Sequence, residues 1–593
     1  MSGNLDFCNV NTLWASLLVE SLSLLGLKFA LISPGSRSGP LALAFAKHPE
    51  IEAIPVLDER SAAFYGLGLA KRSKIPVALV CTSGTAGANF YPAIIEAYQS
   101  KTPLLVLTAD RPLQLRDCHA GQTINQTNLY GYYPNWYLEL SQPSLDFDSL
   151  KYLRQTIVQA WQKTLFPKAG VVHLNIPFGE PLSPVPDLDS QKILEKYDFT
   201  NFFAQLTHSH QPARTLSTDE LDEILEKWLS FKKGLIIVGN VSPQFAHNYC
   251  QSIGHLSKLL KFPVLADCLS PLRNFHNLNP YLISNYDLIL RNSNLSKEIV
   301  PEIIIQIAEL PTSKELRGWL SVNDCPRFIL EDGSDNLDPL HGQTIHIRVA
   351  VEKLVESLKN SQLINNIKEK QNFEYVSSWL KLEEIIALRI QEKMSDIDYL
   401  NEAKVAWTLS NKLLNKTSIF IANSMSVRYA EFFWTKNNHQ HEIYCNRGAN
   451  GIDGILSTAL GVAHRSDNTI LLTGDLALLH DTNGFLASQS WLGNLTIVLV
   501  NNQGGGIFST LPVAQAKEEF EKYFATPQNI DFSQLCQTYG ISHYLIENWQ
   551  NFEQILLQKS NEIIRILEIP TNRENDALWL KENLFSISKC LGR

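Results

Sequence analysis

The segments TILLTGDLALLHDTNGF (469–485) and LTIVLVNNQGGGIF (495–508) decide the fold class. Each opens with an apolar run that does not alternate with polar residues, the pattern of a strand covered on both faces. Each run then breaks at a polar step, Gly474-Asp475 in one and Asn501-Asn502 in the other. Asp475 and Asn502 stand 27 positions apart, about the length of one strand–helix–strand crossover of ~30 residues. The spacing predicts that both side chains lie at the carboxyl ends of parallel, neighbouring strands, where open α/β sheets bind ligands.

Three consecutive glycines, 504–506, follow the second run, a composition that lets backbone approach a phosphate. No Lys-Ser or Lys-Thr follows them, so this is not a Walker loop. The Asp475 carboxylate, the Asn502 amide oxygen and the Gly504 carbonyl are three hard oxygen ligands suited to Mg²⁺, which completes its octahedron with phosphate oxygens and water. Such an ion would carry the positive charge that a Walker loop shares with its lysine.

Strand-length apolar runs recur outward from this pair. They are KFALIS (28–33), PVALVCTS (76–83), PLLVLTA (103–109) and GVVHLNIP (170–177), then GLIIVGN (234–240), FPVLAD (262–267), YDLILRN (286–292), EIIIQIAE (302–309) and PRFILEDG (326–333), then SIFIANS (418–424) and IIRILEIP (563–570). Their alternation with helix-length segments predicts an α/β fold of three doubly wound parallel-sheet domains. Two polar stretches, 177–191 and 357–375, read as linkers and divide the chain into domains 1–185, 195–355 and 375–593.

At 593 residues the chain is too long for one core, and its 45% hydrophobic and 19% charged content excludes general disorder. The net charge of −9 is spread out, and no basic block with interleaved aromatics marks a nucleic-acid groove. No segment has the ~18 uninterrupted apolar residues of a membrane span. The nine cysteines are far apart and form no C-x-x-C pair, so they read as free thiols of a cytoplasmic protein.

The Gly-Asp step followed 27 positions later by the second Asn of a pair resembles the signature of the thiamine diphosphate-dependent superfamily. That resemblance spans essentially the whole chain and implies a domain order of pyrimidine-binding, middle and diphosphate-binding, with thiamine diphosphate and Mg²⁺, or Mn²⁺ in its place, as cofactors. It implies that Gly474, Asp475, Asn502 and Gly504 hold the diphosphate and metal. In IPVLDERSAAFYGLGLAK (54–71), Glu59 opens an alanine- and glycine-rich helix and matches the glutamate that activates the cofactor at N1′. Ile452, in NRGANGIDG (446–454), matches the apolar wedge that bends the cofactor.

Charges at predicted strand ends constrain the substrate. Ser36 and Arg37 (SPGSRSGP, 33–40), Arg111 (TADRP, 108–112), Gln122 (HAGQTINQ, 119–126), Ser424 and Arg428 (NSMSVR, 423–428) and Arg447 form a set rich in arginine. Arginine binds carboxylate with a planar, two-pronged fork, so the set points to anionic, multiply carboxylated substrates. These blocks, with TSGTAGANFYPAIIEA (82–97) and GGGIFSTLP (504–512), resemble the 2-succinyl-5-enolpyruvyl-6-hydroxy-3-cyclohexene-1-carboxylate synthases of menaquinone and phylloquinone synthesis. The resemblance implies decarboxylation of 2-oxoglutarate and 1,4-addition of the succinyl unit to isochorismate. It adds Lys314 to the substrate pocket, with Ile507, Phe508 and Leu511 as an apolar wall, and it implies at least a dimer, with a tetramer compatible.

Two positions depart from that pattern: Gly121 stands where a side-chain amide is expected, and Ala477 where a hydroxyl is usual. No adjacent histidine pair of the pyruvate-decarboxylase type occurs among the fifteen histidines. The alternatives are another thiamine-dependent carboligase or decarboxylase of the acetolactate synthase type, disfavoured by the arginine set, and a non-catalytic thiamine-fold binding protein, which would be expected to lack Glu59 or Asp475.

Overall fold

The computed structural model describes residues 4–204, 206–207, 213–359, 373–489, 491–560 and 562–589. Most of the second expected linker, 360–372, lies outside the described residues. The chain forms two compact units: Met1–Gln211 with Asn446–Asp467 and Ala477–Leu495, and Pro212–Cys445 with Asn468–Leu476 and Thr496–Arg593.

The first unit is built on a six-stranded parallel sheet of β1 (Phe29–Ile32), β2 (Glu52–Pro55), β3 (Val77–Cys81), β4 (Leu104–Asp110), β5 (Trp136–Glu139) and β6 (Val171–Pro177), in the order β2-β1-β3-β4-β6-β5. The second unit holds two sheets. One comprises β7 (Gly234–Val238), β8 (Val264–Ala266), β9 (Leu282–Ile283), β10 (Ile303–Ile307), β11 (Arg327–Leu330) and β12 (Thr344–Ile347), in the order β12-β11-β10-β7-β8-β9. The other comprises β13 (Ser418–Ile421), β14 (Glu442–Tyr444), β15 (Thr469–Gly474), β16 (Leu495–Asn501), β17 (Ser542–Leu545) and β18 (Ile564–Pro570), in the order β14-β13-β15-β16-β18-β17.

The first and third sheets therefore share one strand order, in which the chain steps to an edge and reverses past its first strand. The middle sheet, counted from its own first strand, has the 3-2-1-4-5-6 order of doubly wound dinucleotide-binding folds. All three are α/β and parallel, as the unbroken apolarity of their inner strands predicts: β3, β4, β6, β7 and β10 are buried along their whole length.

One expected strand is a helix. Tyr286–Leu290, within YDLILRN, forms a short helix whose five residues are all buried. A short apolar run enclosed on every side looks the same in sequence whether it is strand or helix. What settles it is a long-range cap: the Glu383 carboxylate accepts from the backbone N–H of Ser284 and Asn285, at 3.0 and 2.9 Å, just ahead of the helix. A buried acid thus supplies an acceptor where a helix start has none of its own.

The Glu59–Ser73 helix is begun by Asp58, whose side chain accepts from Arg60 N–H at 2.9 Å. It crosses the Ile455–Ala463 helix of the same unit through bare backbone. A Cβ added at Gly68 would lie 2.1 Å from the Thr458 carbonyl, and one added at Gly461 would lie 2.1 Å from the Tyr65 carbonyl. The glycines that lower helix propensity here are the condition for this close crossing. Gly68→Ala is accordingly expected to destabilise the chain by ~1–3 kcal/mol, seen as a lower thermal unfolding midpoint. Gly318→Ala, where an added methyl meets nothing within 4 Å, should unfold no earlier than the parent. Equal midpoints for the two variants would show that the crossing is not tight.

Candidate functional site

In the first unit the sequence-derived residues gather at the carboxyl ends of neighbouring strands. Ser36 and Arg37 follow β1, Glu59 follows β2, Ser83 follows β3 and Arg111 follows β4. Glu59 is half-buried, and its charge helps to raise the thiol pKa of Cys81, the last residue of β3, where burial is the larger cause. Ser36 and Gln122 are exposed.

Arg111 donates to the Ser83 hydroxyl, and Gln122 donates through Nε2 to the Ser83 carbonyl at 3.0 Å. Arg37 is buried; Nη1 donates to the Phe178 carbonyl at 2.9 Å and lies 3.3 Å from the exposed Glu180 carboxylate, while Nε is buried with no partner. Burial lowers the pKa of Arg111, and the Arg37 charge lowers it further. Two guanidiniums that repel each other, one with an idle buried N–H, could receive an anion with several oxygens.

Gln126, missed in the sequence reading, holds this region together. It is buried, accepts from Gly84 N–H at 2.9 Å, and donates to the Ala109 carbonyl at 3.2 Å and to Asn175 Oδ1 at 2.8 Å. One amide thus ties the ends of β3 and β4 to β6, and with them Ser83 and Arg111. Gly121 has nothing within 4 Å of an added Cβ, so its lack of a side chain is not imposed by packing.

The NRGANG loop belongs to the same unit. The N–H groups of Gly448 and Ala449 donate to the two carboxylate oxygens of Glu96, at 3.0 and 2.6 Å, which fixes the half-buried Arg447 beside them. Ile452 is half-buried two residues before Gly454, whose φ of 64° and contact with the Phe64 ring admit no side chain. Ala477 is buried and His480 is exposed.

In the second unit the exits of β13, β15 and β16 deliver Ser424, Asp475 and Asn502 to adjacent positions on one sheet edge. Ser424 has φ 62° and ψ −126°, a backbone state that costs a non-glycine residue ~1–3 kcal/mol and recurs at functional sites. Its carbonyl accepts from Arg428 Nη1 at 2.6 Å.

The two asparagines of the pair point to opposite faces, as strand periodicity requires. Asn501 donates to Glu568 at 2.6 Å and is structural. Asn502 donates through Nδ2 to Glu402 Oε1 at 2.7 Å, and its Oδ1 is buried with no partner. Asp475 is 3% exposed and accepts from Gly504 N–H at 2.8 Å. Burial pushes Asp475 up to about 6, against the Leu476 and Gly504 amides and the Arg573 charge. Burial and the neighbouring Asp576 push Glu402 to about 8, and burial pushes Asp576 to about 7.

A divalent cation fits this donor set: an orphaned amide oxygen, a buried carboxylate, and a Gly504 carbonyl that accepts one hydrogen bond, from Gly506 N–H at 2.9 Å, and keeps a second lone pair. Gly474 has open space on its Cβ side, with only the Val500 carbonyl at 4.0 Å, which suits a ligand approaching closely.

The three following glycines are also required by packing. A Cβ at Gly504 (φ 140°) would meet the Ala525 carbonyl at 2.5 Å, at Gly505 the Phe508 ring at 2.7 Å, and at Gly506 the Asn502 Nδ2 at 2.7 Å. Protein atoms thus crowd the side of each glycine that a side chain would take, which is by itself a reason for glycine at all three positions. The basic side chain beside Asp475 is Arg573, about 70 residues downstream of the loop, which donates to the Gln503 carbonyl at 2.7 Å.

Ile507 packs against the apolar core of the second unit, Phe508 meets Phe524 edge-on at 5.8 Å, and Leu511 is 43% exposed. Lys314 is exposed at the start of the Lys314–Val322 helix, at the carboxyl end of the middle sheet rather than of the sheet that carries Ser424 and Asp475. A buried trio of metal-binding residue types, Asp267, Cys268 and Glu431, is already committed elsewhere. Glu431 pairs with Arg273 at 3.0 Å and accepts from Tyr286 and from Cys268 N–H, while Asp267 accepts from Leu269 and Thr312 N–H. Among the described residues no helix is long and apolar enough to cross a membrane.

Three family models match the chain in order. They are the thiamine pyrophosphate enzyme N-terminal TPP binding domain at 14–129, the middle domain of thiamine pyrophosphate at 204–421, and the thiamine pyrophosphate enzyme C-terminal TPP binding domain at 424–562. Among solved structures, the benzoylformate decarboxylase of Polynucleobacter necessarius is similar with a TM-score of 0.69 at 16% identity, covering 95% of this chain and 99% of that one. The thiamine diphosphate-dependent 4-hydroxybenzoylformate decarboxylase of Rhodococcus jostii gives 0.67 at 15%, covering 94% and 99%. At that identity the likeness is one of fold.

Much nearer in sequence are two proteins named 2-succinyl-5-enolpyruvyl-6-hydroxy-3-cyclohexene-1-carboxylate synthase. That of Gloeothece citriformis is 55% identical, and that of Trichodesmium erythraeum 52%, each alignment covering 98% of this chain and 99% of the relative. With those identities along its whole length and the three domain models in sequence, the chain belongs to the 2-succinyl-5-enolpyruvyl-6-hydroxy-3-cyclohexene-1-carboxylate synthase family of thiamine pyrophosphate enzymes.

Proposed function

We propose that this chain decarboxylates 2-oxoglutarate and adds the resulting succinyl unit to isochorismate, releasing CO₂, as a transferase of menaquinone or phylloquinone synthesis. The observation that carries the reading is the 55% identity to a synthase of that name over 98% of the chain. The geometry agrees with it: mutually repelling Arg37 and Arg111, with an idle buried N–H on Arg37, suit substrates bearing several carboxylates.

Thiamine diphosphate, when bound, supplies the electron sink that decarboxylation of a 2-oxoacid needs. Glu59 holds a proton at the pyrimidine N1′. Asp475, Asn502 Oδ1 and the Gly504 carbonyl would hold Mg²⁺ or Mn²⁺, Gly474 would leave room for the diphosphate, and Ile452 would pack against the bound cofactor. Ser36, Arg37, Arg111, Gln122, Lys314, Ser424, Arg428 and Arg447 bind and orient substrate carboxylates and hydroxyls. Ile507, Phe508 and Leu511 form the apolar wall that excludes water. The domains are 1–185, 195–355 and 375–593, binding pyrimidine, nothing assigned, and diphosphate in turn. The working form is a cytoplasmic homo-oligomer, at least a dimer, in accord with free cysteines throughout the described residues.

The direct test combines the purified chain, Mg²⁺, thiamine diphosphate and 2-oxoglutarate with and without isochorismate, following CO₂ and loss of isochorismate absorbance. Turnover of pyruvate in preference to 2-oxoglutarate would remove the assignment. Glu59→Gln should keep metal-dependent cofactor binding and lower kcat by ~10²-fold or more; normal turnover would remove Glu59 from its role.

The metal ligands also predict a pH dependence. Asp475, Asp576 and Glu402 are acids raised to about 6, 7 and 8, and a cation favours their ionised forms. Affinity for Mn²⁺ with thiamine diphosphate present should therefore rise from pH 5 to pH 8. Below about 6 it should fall by at least ~10-fold per unit, as Asp475 takes up its proton in addition to Asp576 and Glu402. A Kd that does not change over that range would exclude Asp475 as a ligand.

A further inference from the structure

A carboxamide has two ends of nearly the same size, and a hard cation accepts only one of them. The oxygen of Asn502 is a ligand only if something holds the NH₂ end away from the ion. Nothing in the local sequence NNQGGG does so, since Asn501 is turned to the opposite face and occupied by Glu568. The selecting group comes from 100 positions upstream: Glu402 Oε1 accepts from Asn502 Nδ2 at 2.7 Å, and Glu402 is 6% exposed.

Glu402 is itself held at the start of the Glu402–Lys412 helix. Asn401 caps that helix by accepting from Ala403 N–H at 2.9 Å, and Asp576 accepts from Asn401 Nδ2 at 2.5 Å. On its other side the Asn502 nitrogen lies where a Cβ at Gly506 would meet it at 2.7 Å, so the third glycine leaves room for the NH₂ end in this orientation. The outcome is one satisfied nitrogen and one buried, unpartnered oxygen on the same amide.

We infer that Glu402 is a positioning residue for the divalent metal site: by accepting the Asn502 NH₂ end it presents Oδ1 to the cation. This rests on the reading of Asp475, Asn502 and Gly504 as the metal ligands. Reversing the amide would set oxygen against oxygen at Glu402 and nitrogen against the cation. With no acceptor at 402 the two orientations are separated by little.

The test uses the full chain with saturating thiamine diphosphate, no substrate, and Mn²⁺ as probe, with free Mn²⁺ measured by its paramagnetic resonance signal. Glu402→Met keeps the length of the side chain and removes the acceptor, and it should raise the Mn²⁺ Kd by ~10–100-fold. Glu402→Gln, which keeps an acceptor on a rotatable amide, should raise it by less. The discriminating comparison is made on Asn502→Asp, whose two oxygens are equivalent and need no selection. On that background Glu402→Met should leave the Kd unchanged or lower it, because it also removes an oxygen that faces an oxygen, where a general distortion of the site would cost as much as before. A similar loss on both backgrounds, a Gln variant weaker than the Met variant, or unchanged affinity in Glu402→Met would overturn the inference. Failure of the unmutated chain to take up Mn²⁺ would instead overturn the metal site itself.

Discussion

Parallel strands can be joined only by crossovers that return the chain to its starting edge, so all their exits face the same way. Every candidate functional side chain in the two outer sheets depends on that constraint. In the first sheet it gathers Ser36, Arg37, Glu59, Ser83 and Arg111 from four separate strand exits, spread over about 75 residues of sequence. In the third it does the same for Ser424, Asp475 and Asn502. Because both sheets reverse direction past their first strand, each opens a crevice at the matching place. The middle sheet, with a different order, carries only the exposed Lys314.

The electrostatics follow from what these exits bury. Asp475, Glu402 and Asp576 lie close enough that Asp576 and Asp475 both raise Glu402, and all three sit well above ordinary carboxylate values. Such a cluster is unfavourable by itself in a medium of low polarizability, and a divalent cation, if bound there, would offset it. The missing lysine of the glycine loop is thereby explained by charge balance: the loop belongs to a site whose protein part is already anionic.

How much of this the sequence discloses depends on where each element lies. Inner strands such as Val77–Cys81 and Ile303–Ile307 are buried on both faces and announce themselves as unbroken apolar runs. The strands that escaped notice, Trp136–Glu139, Leu282–Ile283, Thr344–Ile347, Glu442–Tyr444 and Ser542–Leu545, are all edges of their sheets, and the sixth edge strand, Glu52–Pro55, was marked only by the helix start that follows it. An edge strand is short and has one flank without a partner strand, so its composition is mixed and no periodicity stands out. The site was legible wherever a residue sits at a strand exit beside its motif. Glu402, Arg573 and Gln126 were not, because their partners lie at sequence separations of 100, 70 and 17 to 49. The triple glycine was legible as a loop but its packing was not, since the carbonyls that crowd Gly504 and Gly505 come from residues 524–525 and the ring from Phe508.

The crossing of Gly68 over Gly461 bears on stiffness. Where side chains separate two helices, a small displacement is taken up by rotamer changes and the contact is soft. Here the helix that begins at Glu59 rests on carbonyl oxygens and Cα atoms, which have no torsions to spend. The resting place of its first turn is therefore set by backbone geometry. Thermal motion of the whole helix against its neighbour should be correspondingly narrow, leaving the Glu59 side chain as the mobile part.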